Sequence, residues 1–237
     1  MVNGHCRSYH SSMRALSLIG IAALAACGGT SPGLFEKPRV SMPLLSPTGA
    51  IMSQGVYRLP YADGSRVSVF DDARTHRPVT RVDLVGEPRQ GQTHRIVAAA
   101  AGTVMAIQDG FAAQQSGRAA ADCRNNYLWI AHPNGEWTLY SHMRHGTTTG
   151  DAGLSVGQHV KVGQYLGDEG SVGCAMLSHL HFEVAVPAKD NPIDEGGFIT
   201  DNPESRRNRV PRFCLPETRE VIKDAVYSAL KCGRSSR

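Results

Sequence analysis

The 237-residue chain lacks the features that would mark a nucleic-acid binder, a polytopic membrane protein or a cysteine-based metal protein. Its formal net charge is only +4, which is no electrostatic footprint for nucleic acid. None of its six cysteines stands in a Cys-x-x-Cys pair, so a cysteine zinc site lacks its usual spacing. Apart from one stretch near the start, no apolar run approaches membrane-spanning length, and no internal repeat is visible. Aromatic residues are sparse at 6%, whereas 25 glycines and 13 prolines supply many turns. These proportions point to one globular domain of short elements.

The first 26 residues read as a signal peptide. Arg7 and Arg14 precede the apolar stretch Ala15 to Ala26, which is short for a bilayer span but suits a signal core. It ends in Leu24-Ala25-Ala26-Cys27-Gly28, which resembles a bacterial lipobox, and Met13 is an alternative start. The resemblance implies cleavage before Cys27 and acylation of that cysteine. Several acyl chains anchor a protein firmly to a membrane. Gly28 after the cysteine resembles lipoproteins of the outer membrane, so the expected location is the bacterial cell envelope, lipid-anchored and facing the periplasm. Cleavage removes Arg7 and Arg14 and no acid, lowering the formal charge by two.

An exported chain meets an oxidising compartment, and Cys123, Cys174, Cys214 and Cys232 are then an even set available for disulfides. Three pairings exist; Cys123–Cys174 with Cys214–Cys232 is favoured. The second pair would clamp the segment Pro216 to Lys231, where Val221, Ile222, Val226 and Leu230 recur at helical spacing, so a short C-terminal helix is expected.

Residues 27–55 are rich in Pro, Ser and Gly and read as a tether, with the part around Leu44 to Met52 alternatively an arm packed over the domain. Short β-prone runs follow: Arg66 to Phe70, Arg95 to Ala99, Thr103 to Gln108, Asn126 to Ala131, Trp137 to His142 and His179 to Val186. Such strands between glycine turns indicate an all-β antiparallel sandwich or open barrel over residues 56–190. Residues 191–237 are then a C-terminal extension, and Phe111 to Arg124 reads as an insertion.

Chemistry concentrates in Ser178-His179-Leu180-His181-Phe182-Glu183-Val184. A strand repeats every two residues, so His179 and His181 share one face about 6.5 Å apart, with Leu180 and Phe182 on the other. Two imidazoles on one wall can supply a metal ligand and an acid–base group. Upstream stand Ala98-Ala99-Ala100-Ala101-Gly102-Thr103-Val104, Asn126-Tyr127, Tyr140-Ser141-His142 and the glycine-spaced run Val156 to Gly167.

With these motifs in this order, residues 65–187 resemble the lysostaphin-type (LytM-like) zinc endopeptidases. The resemblance implies the duplicated hybrid motif-like β fold, one Zn2+ per chain, and ligands from an early His and Asp and the second His of His-x-His, here His76, Asp83 and His181. His142 and His179 match the family's two non-ligand histidines, one to accept a water proton and the other to serve the oxyanion or leaving amine. Glu183, on the face of His181, could hold that ligand's other ring nitrogen. The family's early pair is usually His-x-x-x-Asp, whereas seven positions separate His76 from Asp83 here. Pro78 implies a turn that could close the gap, with His94 or Asp72 as alternatives to His76. His132 before its Pro-Asn-Gly turn reads as a packing residue, and His145 and His159 as surface residues.

The implied function is hydrolysis of peptide cross-links in cell-wall peptidoglycan. A second reading is a catalytically inactive module that binds peptidoglycan or activates a wall amidase or other divisome partner. In a third, the site is covered until a neighbouring segment moves; a carbohydrate-binding sandwich has fold-level support only.

Overall fold

A computed structural model describes residues 43–47, 49–89, 91–114, 124–188, 193–200, 202, 206–215 and 219–233. The expected signal peptide and Cys27 lie outside the described residues, as do Cys123 and most of the 111–124 insertion. No helix among the described residues is long and apolar enough to cross a membrane.

Eleven strands account for most of the regular structure: β1 Arg66–Asp71, β2 Val82–Glu87, β3 Arg95–Val97, β4 Gly102–Gln108, β5 Tyr127–Ala131, β6 Trp137–Ser141, β7 His159–Val160, β8 Tyr165–Asp168, β9 Leu180–Ala185, β10 Asn208–Arg209 and β11 Val226–Ser228. A single π-helical turn, Thr147–Asp151, is the one helical element among the described residues. Nine strands form one antiparallel sheet in the order β11-β1-β2-β9-β6-β5-β4-β7, with β10 beside the end of β9; β3 and β8 form a second, two-stranded sheet. The all-β antiparallel class expected from the short alternating runs is what the chain adopts.

Strand β9 is central and buried along its whole length. Its alternation separates two environments. Leu180, Phe182 and Val184 enter the main core, where Phe182 meets the rings of Tyr140 and Phe213. Burying each such side chain stabilises the fold by roughly 1.5–3 kcal/mol. His181 and Glu183 face the opposite side, where Trp129, Leu139, Ala185 and Ile199 form a smaller apolar cluster. Polar side chains thus sit on the second face of a strand whose first face is anchored in the core.

The C-terminal helix does not form. Among residues 219–233, β11 pairs with β1, Val226 opposite Ser68 and Ser228 opposite Arg66. Burial there alternates: Val221 and Ala229 are inside, while Ile222, Val226 and Leu230 are exposed. The open edge of β1 offers backbone partners that a helix would leave unmade, and this outweighs the helical spacing of four apolar residues. Cys214 and Cys232 are disulfide-bonded, as favoured from the sequence. Cys174 is also disulfide-bonded, and Cys123, its expected partner, lies outside the described residues. In the segment Leu44 to Met52, Met52 is buried and bridges to Val210, while Leu44, Leu45 and Ile51 are exposed.

Candidate metal centre and its histidines

Strand register places the floor of the site. Asp83 on β2 lies directly opposite His181 on β9, and Ser141 on β6 lies opposite His181 from the other side. The Nδ1 of His181 is 2.9 Å from Asp83 Oδ1, and its Nε2 is 2.8 Å from Glu183 Oε1. Glu183 also accepts from Arg81 Nε at 2.5 Å and from Asn208 Nδ2 at 2.7 Å. Burial alone would lower the His181 pKa, but the hydrogen bonds to Asp83 and Glu183 outweigh it and push it up to about 9. Burial opposes ionisation of both carboxylates as well. Even so, His181 and His76 hold Asp83 well below the usual range, and His181 and Arg81 hold Glu183 at about 2.

A turn delivers the third donor. Asp72 caps it: Oδ1 accepts from the Arg74 and Thr75 backbone N–H groups at 2.9 Å each, and the Asp72 carbonyl accepts from His76 N at 3.0 Å. Such side-chain-to-backbone capping is the usual work of aspartate in turns. Thr80 N–H donates to Ala73 O at 2.8 Å and closes the loop that contains Pro78. His76 Nδ1 donates to Pro78 O at 2.8 Å, and its Nε2 lies 3.5 Å from Asp83 Oδ2. The seven-residue separation is therefore closed by the turn. One donor atom each from His76, Asp83 and His181 lies within 4.8 Å of the others, a set that could hold a metal ion.

The two alternatives to His76 are used elsewhere. Asp72 turns its carboxylate into the cap. His94 packs its ring over Gly86, where a Cβ would stand 2.1 Å from the ring, and its Nε2 donates to Pro88 O at 2.9 Å. His132 is a buried packing residue between Ala101 O and Thr138 Oγ1, and His159 is exposed.

His142 and His179 flank the three donors. Their ring centroids are 4.6 Å apart, and His142 is 5.9 Å from the His181 ring. His142 has φ 64°, a left-handed conformation that costs on the order of 1–3 kcal/mol and recurs at functional sites. Its backbone N–H is held by Asn125 Oδ1 at 3.2 Å. His142 Nδ1 donates to Val172 O at 2.7 Å and His179 Nδ1 to Leu177 O at 2.9 Å. Both rings therefore turn an unprotonated Nε2 away from these anchors, and that of His179 is 3.6 Å from Asp83 Oδ1. Burial, reinforced by His179 and His181, lowers the His142 pKa well below the ordinary value; burial also lowers that of His179. Both are neutral acceptors at pH 7.

The five residues open into a cleft of about 550 Å³, walled by Phe70, Arg77, Met176, Leu177 and Phe198. Phe198 presents its ring at 89° to His181, 5.6 Å between centroids. The partnership of Glu183 with His181 follows from their i, i+2 spacing. Arg81 carries a weaker form of the same signal, two residues before Asp83 and just ahead of β2. Asn125, Phe198 and Asn208 had no local signal, because each reaches the site through distant chain segments.

Residues 87–195 match the model of peptidase family M23. His76 and Asp83 precede the matched residues, and the fold brings them to His181, which lies within. No curated protein matches the chain. Among solved structures, a putative M23 peptidase from Pseudomonas aeruginosa is 21% identical, with 56% of this chain and 48% of that one covered and a TM-score of 0.35. For a putative glycyl-glycine endopeptidase LytM from Ruminococcus gnavus the values are 18%, 56%, 54% and 0.40. For a zinc-containing peptidase from Vibrio cholerae they are 23%, 65%, 45% and 0.36. The chain spans about half the length of these three structures.

Proposed function

We propose, from the premise that residues 87–195 form a LytM-like domain of peptidase family M23, that the protein is a zinc-dependent endopeptidase hydrolysing peptide cross-links of bacterial peptidoglycan. The observation that carries this reading is the convergence of His76, Asp83 and His181, with His142 and His179 beside them. Two imidazoles and one carboxylate suit zinc and leave one position for water or substrate. Zinc, when bound there, supplies Lewis acidity toward water and the scissile carbonyl.

The protein's own groups do the rest. Glu183 accepts from His181 Nε2 and thereby directs its Nδ1 to the metal side, as outer hydrogen-bond partners of ligating histidines do. His142 and His179 each have Nδ1–H committed to a carbonyl, so each can begin only as a proton acceptor at Nε2. The group that protonates the leaving amine is then the imidazolium made by the first transfer. The neighbouring histidine, left neutral, holds the water through its lone pair. The apolar walls from Phe70, Met176 and Phe198 accommodate an extended peptide and keep bulk water from the reacting carbonyl.

The lipobox-like Leu24 to Cys27 supports an outer-membrane lipid anchor facing the periplasm, where peptidoglycan is within reach. The purified mature protein is expected to bind one zinc and to cleave cross-linked muropeptides, and His181→Ala to lose both. Muropeptide binding without cleavage by the zinc-loaded protein would replace this reading with that of a non-catalytic wall-binding module.

A further inference from the structure

The His76 turn is bonded through Asp72 to the C-terminal extension, which lies beyond the residues matched to the peptidase family. The two oxygens of Asp72 divide the task. Oδ1 takes the Arg74 and Thr75 backbone N–H groups and shapes the turn. Oδ2 takes the backbone N–H of Lys223 at 3.1 Å, with Arg74 Nη2 at 3.3 Å. The Asp72 side chain is only 3% exposed, so these contacts form in a protected setting. Lys223 Nζ reaches over to Phe70 O and Asp71 Oδ1, both at 2.8 Å. Asp224 N–H donates to Val69 O, and Ala225 O accepts from Val69 N–H. The segment that makes these contacts continues into β11 on β1 and is closed by Cys214–Cys232.

We infer that Asp72 is a positioning residue for the His76 ligand and that the disulfide-closed C-terminal strap, residues 219–233, acts through it to set metal affinity. Asp83 and His181 lie on paired strands and need no such help. His76 is placed only by the turn, so loosening the turn costs the metal its third donor while the other two stay in register. The inference rests on His76 being a zinc ligand, as proposed above.

Metal affinity separates this role from a structural one. Zinc competition titrations and the visible spectrum of the cobalt-substituted protein are compared for the parent, Asp72→Ala, Asp72→Asn and the double variant Cys214→Ser/Cys232→Ser. Asparagine keeps an acceptor for the turn but places an amide N–H or a weakened acceptor before Lys223 N–H, so it is the variant expected to fold. Asp72→Asn is expected to bind zinc about 10- to 100-fold more weakly, with an altered cobalt spectrum. Asp72→Ala should lose more, and the disulfide variant should lose several-fold. If Asp72→Ala does not fold, Asp72→Asn and the disulfide variant decide. Parental zinc affinity and cobalt spectrum in folded Asp72→Asn would overturn the positioning role. Parental affinity in the folded disulfide variant would overturn the part played by the strap. Absence of zinc binding by the parent itself would instead overturn the reading of the metal site.

Discussion

Two of the three candidate ligands are held by strands and one by a turn, and the contrast explains what is robust in this site. Asp83 and His181 are cross-strand partners in a sheet whose opposite face is packed with Leu84, Leu180 and Phe182. Shifting either would slip a register and turn a whole apolar face outward. His76 depends on hydrogen bonds within and around a single turn, several of them made by Asp72. A strand ligand is lost only with the sheet, whereas a turn ligand can be tuned by whatever touches the turn.

The largest expected effects fall on the strand pair. Asp83→Ala should abolish zinc binding and hydrolysis while leaving the sheet folded; calorimetric titration of zinc and a muropeptide assay read both, and retained zinc binding would break the contrast. Next come the two histidines that hold no metal in this account. His142→Ala and His179→Ala should each lower kcat by about 10²- to 10⁴-fold with zinc stoichiometry unchanged, and loss of zinc from either would move that residue among the ligands. Glu183→Gln should weaken zinc about 10- to 100-fold, because it disturbs the Nε2 partner of His181 rather than the ligand atom itself. An equal affinity would show that the Glu183 carboxylate does not tune the His181 ligand.

The smallest effect is a control away from the cleft. Burial lowers the pKa of His132 in the folded protein, so the unfolded chain binds more protons below about 6.5. Its contribution to stability is present above that pH and declines as pH falls through the acidic side of it. Thermal melts of the metal-free protein from pH 7 to 5 should show a decreasing Tm, and His132→Gln should flatten the slope. A slope unchanged in His132→Gln would assign the acid sensitivity to the cleft histidines instead.

Much of this arrangement was legible in the chain because a strand has a period of two. The shared face of His179 and His181, the reach of Glu183 to His181 and the burial of Leu180 and Phe182 all follow from that alternation. Turn chemistry was half legible. Turn formation at Pro78 between His76 and Asp83 is legible in the sequence, but the capping by Asp72 that shapes the turn is not announced by residue spacing. The expected C-terminal helix is absent for a physical reason: Val221, Ile222, Val226 and Leu230 fit a helical period, yet the edge of β1 takes the segment as a strand, and only tertiary structure reveals an edge. Asn125, Asn208 and Phe198 meet the site from segments remote in sequence, where no local spacing can announce them.

The most direct test of the whole account is a competitive zinc titration of the parent and His76→Ala, with folding of both checked by circular dichroism. The account expects one zinc per chain for the parent and binding at least about 100-fold weaker once the turn's imidazole is removed, since outer-shell losses alone reach that size. Parental affinity in His76→Ala would contradict it, leaving the strand pair to bind metal without the turn.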